Sequence, residues 1–353
     1  MQKLLMGVAA SAVLASMAQT AQAAPMAVTV GGYFNTALMA QDFDAAPDAT
    51  SLNQEQEGEF HVKGKRKLDN GMELGFQIQV EAEQNSDQID EHYIYLKGDF
   101  GRLTIGAENS AANMLTVGYN KYLGYKQAAD DFLVDLKKTG YLKTEHAFVT
   151  GDANKITYVS PRIAGLQAGI SLTPSTKNLK GDARGVEESG DGVGDNAISL
   201  GLRYKGAFNG VKVAASYASE KAEEGGSGAD GDGTFEDSSI GLEAKTKGFT
   251  FSYLSLTRES ENWGSTADYE KDFSNIAISY KLNKKTTIGF DMQDDEVTAG
   301  NGAGDTYEHV RFGGNYKLAS GMSLTLSQLD AEKTSGGATQ NSSVTTVGLL
   351  LKF

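Results

Sequence analysis

Residues 72–81 read Met72-Glu73-Leu74-Gly75-Phe76-Gln77-Ile78-Gln79-Val80-Glu81, and their alternation decides the fold. Successive side chains of a β-strand point to opposite faces. Met72, Leu74, Phe76, Ile78 and Val80 therefore share one apolar face, and Glu73, Gln77, Gln79 and Glu81 share a polar one. The same period of two returns in Ile198-Leu200-Leu202-Tyr204, in Phe249-Phe251-Tyr253, in Ile276-Ile278-Tyr280 and in Val310-Phe312-Gly314-Tyr316-Leu318.

A soluble β-sandwich would alternate too, and three further features separate the two architectures. First, sixteen strands are predicted, near 26–40, 54–68, 72–84, 88–98, 101–107, 152–160, 165–173, 195–206, 210–219, 235–246, 248–259, 269–282, 285–295, 306–318, 321–330 and 342–353. Many exceed the five or six residues usual in globular sheets and suit tilted spans of a bilayer. Second, tight turns such as Asp69-Asn70-Gly71, Asn209-Gly210 and Ala319-Ser320-Gly321 alternate with long acidic or Gly/Ser-rich connections at 174–194, 220–234, 260–268, 296–305 and 331–341. Asn-Gly pairs accept the positive φ of hairpin turns. Short turns at one end and long loops at the other mark a bacterial outer-membrane barrel. Closure is required because a spanning sheet cannot leave an unpaired edge in lipid. Third, Val347, Leu349, Leu351 and Phe353 end the chain on an alternating apolar face with a terminal aromatic. The expected fold is all-β: a transmembrane 16-stranded antiparallel up-and-down barrel.

Composition agrees with export. Lys3 precedes an apolar run from Leu4 to about Ala18, and Ala21-Gln22-Ala23 supplies a small-residue cleavage site, the layout of a secretory signal peptide. The run is too short for an anchor helix, which needs about 20 apolar residues. Residues 1–23 are therefore read as a signal peptide and 24–353 as the barrel. Cysteine is absent, so no disulfide framework exists. The net charge of −14 argues against a nucleic-acid partner, which wants a basic face, and points to a preference for cations.

Several segments resemble the general diffusion porins of Gram-negative bacteria, and among them the alphaproteobacterial porins. They are Val28-Thr29-Val30-Gly31-Gly32-Tyr33-Phe34, Lys67-Leu68-Asp69-Asn70-Gly71-Met72, Asp90-Glu91-His92-Tyr93-Ile94-Tyr95-Leu96, Gly101-Arg102-Leu103-Thr104-Ile105-Gly106-Ala107-Glu108-Asn109-Ser110-Ala111-Ala112, Pro161-Arg162-Ile163-Ala164-Gly165-Leu166 and the Phe terminus. The resemblance spans the chain from residue 24 onward, though the loops carry little of it. It implies an outer-membrane location, a homotrimer, and a water-filled channel for passive diffusion of small hydrophilic solutes and ions. It also implies a third loop folded inward to narrow the pore. Residues 108–151 stand in that place, far longer than an ordinary connection. They hold apolar groups that need burial (Met114, Leu115, Val117, Phe132, Leu133) together with Asp130, Asp131 and Asp135. A surface loop capping the barrel or reaching a neighbour is the alternative.

Alternation also assigns faces. Glu59, His61, Lys63, Lys65 and Lys67 are expected in the lumen, as are Asp90 and His92, Arg203 and Lys205, Glu243 and Lys245, and His309 and Arg311. A one-residue slip would reverse any such set. Carboxylates of the loop facing basic side chains of the wall would filter ions by sign. The candidate constriction set is Asp130, Asp131, Asp135, Glu59, His61, Lys63, Lys65, Asp90, Arg203 and Arg311. In many enterobacterial porins, positions resembling Glu59, Asp90 and Ala107 carry arginines. Here they are two acids and an alanine, which weakens any basic ladder. For each charge, simple solvation in the lumen is the bland reading.

No cofactor or metal is expected. Asp230, Asp232, Glu236 and Asp237 could offer oxygen ligands to a loop-bound Ca2+, but the spacing does not complete an EF-hand and an acidic solvated hairpin accounts for them. Divalent ions bridging such loops to lipopolysaccharide are a further expectation, beside outer-membrane lipid itself. Tyr158, Tyr204, Tyr280, Tyr316 and Phe353 sit beside short turns and suit an interfacial girdle better than a sugar-stacking track. A barrel enzyme would need a nucleophile and its base, and none of His61, His92, His146 and His309 lies in a recognisable motif. A structural barrel usually appends a periplasmic domain, which this chain does not show. A substrate-selective channel stays open as the alternative.

Overall fold

The computed structural model describes residues 25–44, 51–82, 88–118, 150–176, 190–225, 233–263 and 268–353. Sixteen strands follow one another: β1 Ala27–Phe43, β2 Leu52–Lys67, β3 Glu73–Glu81, β4 Ile89–Gly98, β5 Gly101–Ala107, β6 Asn154–Val159, β7 Leu166–Ser175, β8 Gly190–Phe208, β9 Val211–Gly225, β10 Thr234–Thr246, β11 Phe249–Glu261, β12 Tyr269–Lys281, β13 Thr286–Gly300, β14 Thr306–Ala319, β15 Met322–Ser335 and β16 Ala338–Lys352. A short helix α1, Ala111–Leu115, interrupts the connection between β5 and β6. Each strand pairs antiparallel with its sequence neighbours, and β1 pairs with β16, so the sheet closes on itself. Every ladder edge is thereby paired, as a wall in hydrocarbon demands.

Closure is exact at the chain end. The Gly32 amide donates to the Phe353 carbonyl and the Phe353 amide donates back to Gly32, at 3.0 and 3.2 Å. The Phe353 ring lies 5.7 Å from that of Phe60 on β2, so the terminal aromatic staples the seam. Turn chemistry follows the sequence. Asn209 and Gly210 both take positive φ (47° and 81°), the geometry whose twist matches that of the flanking strands.

All sixteen predicted strands form. The differences lie at the long-loop rim, where inter-strand hydrogen bonds carry the ladders beyond the alternating apolar segments. β13 runs to Gly300, β15 to Ser335, and β16 begins at Ala338, so the connections read at 296–305 and 331–341 shrink to residues 301–305 and to Gly336-Gly337. Strands there are polar on both faces, so hydrophobic alternation gives no signal while backbone pairing continues.

Register fixes the two faces, because residues directly opposite share one. Phe60 pairs with Val80, Val62 with Ile78 and Gly64 with Phe76, whereas Glu59 pairs with Glu81, His61 with Gln79 and Lys63 with Gln77. The outward face is an apolar band, with Val30, Ile94, Ile170, Ile240, Ile276 and Leu326 all exposed. Tyr158, Tyr204, Tyr316 and Phe353 stand exposed beside the short turns at its edge.

Candidate functional site

The lumen is built where the polar faces converge, and the root of the third connection enters it. Past β5 the chain does not leave the rim. Ser110 caps α1 by accepting from the Asn113 amide, and Ala111, Ala112 and Leu115 are buried. The Ala111 amide donates to Ser171 Oγ of β7 at 2.7 Å, and the Val117 amide donates to Ser216 Oγ of β9 at 3.0 Å. Arg203 of β8 donates from Nη1 to the Met114 carbonyl at 3.1 Å and from Nη2 to Gln167 Oε1 at 2.7 Å. Ser171, Arg203 and Ser216 lie on the inner face, since Ser171 pairs with Ser199 and Arg203 with both Gln167 and Ser216. Residues 108–118 therefore run inside the barrel.

Two glycines make the close approach possible. A Cβ on Gly201 would fall 2.4 Å from the Ala111 carbonyl oxygen, and one on Gly241 would fall 1.8 Å from the Val117 carbonyl oxygen. Backbone meets backbone there, a recurrent reason for glycine in a strand.

The returning limb is tied to the same wall. Thr150 donates to Glu220 of β9 through its amide at 2.7 Å and its hydroxyl at 3.0 Å, and Ser199 also donates to Glu220. Lys155 of β6 clamps the two limbs together: its Nζ donates to the carbonyls of Glu108, Gly151 (2.7 Å) and Ala153 (2.6 Å). An ammonium has three N–H donors, and all three are used. Burial pushes the Glu108 carboxyl above its ordinary value, while the Tyr93 hydroxyl and the Arg102 guanidinium, at 4.0 Å, pull it back.

The wall itself is charged in two ways. From β10 to β15 acids and bases are matched across strands. Arg258 grips Asp237 at 2.8 and 2.9 Å, Lys271 meets Asp295 at 3.0 Å, and Arg311 grips Asp291 at 2.9 and 3.1 Å with His309 at 3.1 Å from the same carboxylate. From β1 to β5 the buried carboxylates take mostly uncharged partners. Glu57 accepts from Tyr33, Glu59 lies 3.2 Å from His61, and Glu91 accepts from Gln79 and from Asn109.

The sequence-derived set divides accordingly. Glu59, His61, Lys63 and Lys65 share the inner face of β2. Arg203 and Arg311 lie inside on β8 and β14, the first holding the loop and the second holding Asp291. Asp90 sits in a bulge where Val80 pairs with Ile89 and Ile78 with His92, leaving one extra residue on β4. That bulge overturns one assignment: His92 pairs with Ile78 and Ala107, and the next residue pairs differ in face, so His92 points outward and Glu91 points into the lumen. Asp130, Asp131 and Asp135 lie outside the described residues, as do Asp230 and Asp232. Glu236 and Asp237, next to each other on β10, point to opposite faces, the first toward Lys221 at 3.8 Å and the second toward Arg258. Among the described residues no group of three or more His, Asp or Glu is placed to hold a metal ion.

Two features of the lumen escaped the sequence. Leu254, Leu256 and Phe273 form a buried apolar cluster on the inner face of β11 and β12, where alternation predicts polar groups. Its one sequence signal is Tyr253-Leu254-Ser255-Leu256, which has apolar residues on both faces. The glycine seats were the other, because Gly201 and Gly241 read as unremarkable strand residues until the loop backbone lies over them.

Comparison with known proteins places this architecture. The family model for Gram-negative porins matches residues 9–337. A solved anion-selective porin from Comamonas acidovorans superposes with a TM-score of 0.64 at 14% identity, covering 93% of this chain and 100% of that one. The trimer form of OmpT from Vibrio cholerae gives a TM-score of 0.64 at 14% identity over 94% of this chain and 100% of its own. An uncharacterized protein from Rickettsia bellii is 25% identical over 122 residues, a stretch that covers only 28% of either chain.

Proposed function

Because the chain belongs to the Gram-negative porin family and folds as its closed sixteen-stranded barrel, we propose that it forms a water-filled outer-membrane channel for passive diffusion of small hydrophilic solutes, with a preference for cations. The observation that carries this reading is that residues 108–118 and Thr150, the two ends of the third connection, seat inside the barrel against β7–β10. The preference for cations rests on the chain's surplus of acids, 46 against 32 bases, and on the carboxylates gathered inside β1–β5. Rings of charge select by sign in a pore. The barrel alone leaves selectivity open, since the same fold serves an anion-selective porin; the lining decides it. Asp130, Asp131 and Asp135 belong in this proposal as acids of the third connection.

A homotrimer is part of the same reading, supported by the trimer form of the Vibrio cholerae OmpT structure. Outer-membrane lipid would meet the apolar band, and lipopolysaccharide the acidic long-loop rim. Reconstitution into planar bilayers under a KCl gradient tests the proposal. Discrete conductance steps with a reversal potential of cationic sign are expected. Steps with an anionic sign would refute the selectivity, and absence of steps would refute the channel.

A further inference from the structure

The charges of the lumen are sorted along the barrel axis as well as around it. Lys63 and Lys65 stand two to four residues from the end of β2 at its short turn, Lys97 next to the end of β4, Lys212 and Lys245 where β9 begins and β10 ends, and Lys281 at the end of β12. Register puts each on the inner face: Lys63 opposite Gln77, Lys97 opposite Glu73, Lys212 opposite Lys245, and Lys281 opposite Thr287. Lys212, Lys245 and Lys281 line a single recess of 550 Å³ at this mouth, with Thr250, Ser279 and Thr287 between them. Among the described inner-face residues of this zone the acids are Glu73 and Glu243.

Toward the long-loop rim the balance reverses. Six residues up β2 from Lys65 stands Glu59; eight residues along β9 from Lys212 stands Glu220; eight along β10 from Lys245 stands Asp237. Of the bases toward that rim, Arg258, Lys271 and Arg311 are matched by Asp237, Asp295 and Asp291, Lys155 is held by three backbone carbonyls and Lys333 lies on the inner face of β15, while Glu57 and Glu91 add to the acids. The whole chain carries −14. With the short-turn mouth net positive, the remainder must be more negative than the chain as a whole. Four to eight residues at about 3.3 Å each, tilted by roughly 40°, separate the zones by about 10–20 Å along the axis. That matches or exceeds the Debye length of about 10 Å at 0.1 M salt, so each zone sets its own local ion population.

We propose that this is a bipolar pore that rectifies ion current: a basic vestibule at the short-turn mouth that gathers anions, in series with an acidic zone that gathers cations. The inference rests on the channel reading above. A potential positive on the long-loop side drives cations in through the acidic zone and anions in through the basic one, so both accumulate at the junction and conductance rises. The opposite polarity empties the junction and conductance falls.

The test is the current–voltage curve of oriented channels in 0.1 M KCl. Orientation is read by blocking from one side with streptavidin on a biotinylated Lys284→Cys variant, whose thiol would be unique in a chain without cysteine. Larger conductance with the long-loop side positive is expected, by roughly twofold, the enrichment that a potential of about one kT supports. The asymmetry should shrink in 1 M KCl, where the Debye length is about 3 Å. Lys212→Gln/Lys245→Gln/Lys281→Gln should remove most of it while the steps persist, and the corresponding Glu triple variant should make the curve symmetric and strengthen cation selectivity. A linear curve at 0.1 M, or the opposite sense, with steps intact overturns the inference and leaves the porin standing. Absence of steps overturns the channel reading itself.

Discussion

Placing a side chain on Gly241 should unseat the third connection while leaving the barrel whole. An added Cβ falls 1.8 Å from the Val117 carbonyl oxygen and 2.7 Å from both the Val117 carbonyl carbon and Ser216 Oγ, where real Cβ atoms keep at least 3.0 Å. The backbone at Val117 must therefore retreat by about 1.2 Å, since β10 is pinned on both sides by β9 and β11. That retreat takes the Val117 amide out of reach of Ser216 Oγ, now at 3.0 Å, a loss of about 1 kcal/mol. If α1 follows, the charge-assisted bond from Arg203 to the Met114 carbonyl goes too, for about 1.5–3 kcal/mol more. Gly241→Val should thus cost the loop seat about 1–4 kcal/mol, with Gly241→Ala at the lower end. The inter-strand ladder loses nothing. Two assays separate the effects: heat-modifiability on a gel reports the barrel, and single-channel conductance reports the neck. An unchanged gel shift with altered and noisier conductance is expected. A variant with a native gel shift and wild-type conductance would refute the claim that this segment seats on Gly241 and narrows the pore.

Three further outcomes follow from the same structure. Ile276 is 58% exposed at the middle of the outward face of β12, so Ile276→Arg should destabilise the barrel by about 2–4 kcal/mol in denaturant titrations in lipid, whereas Ser279→Arg on the inner face, beside the lumen recess, should cost less. Arg311→Leu leaves the fully buried Asp291 carboxylate without its bidentate partner and should cost about 3 kcal/mol; the double variant with Asp291→Asn should recover much of it, and purely additive losses would show that the pair is not coupled. The Asp305 carboxyl is held below its ordinary value by the Ser335 hydroxyl at 2.7 Å and the Gly336 amide at 3.0 Å. Its folded value being the lower one, this brace is present above the usual carboxylate range near 4 and is lost as pH falls through the depressed value. Hydrogen exchange at the Gly336 amide should accelerate with acid relative to neighbouring amides, and Asp305→Asn should abolish that dependence.

The bulge on β4 shows how local structure can defeat a correct period. Counting in twos from Asp90 puts His92 inside, whereas counting back from Leu96 and Ile94 puts it outside; the extra residue between Ile89 and His92 makes the two counts disagree, and the register follows the second. Nothing in Ile89-Asp90-Glu91-His92 announces that insertion, since a bulge is stabilised by the partner strand and not by its own side chains. The strand extensions at the long-loop rim fail to show for a related reason. Residues 331–341 hold no large apolar side chain, so the sequence reads as loop, while pairing of β15 with β16 continues to the Gly336-Gly337 turn because each added residue satisfies backbone groups.

The division between the two levels is physical. Period-two alternation, turn residues at fixed offsets and the apolar terminal strand are local or repeating properties, and they determined the closed barrel, its sixteen strands and its two rims from residues 24–353 alone. Family likeness and length placed the third connection as the constriction. Which wall that connection seats on, through Ser171, Ser216 and Glu220 and over Gly201 and Gly241, was decided only by the tertiary structure, because these residues are separated from it by tens of positions to more than a hundred and meet it only once the sheet has closed. The axial sorting of charge belongs to both levels: the lysines beside the short turns are written in the sequence, but their common inward face and their distance from the carboxylates come from register and strand tilt.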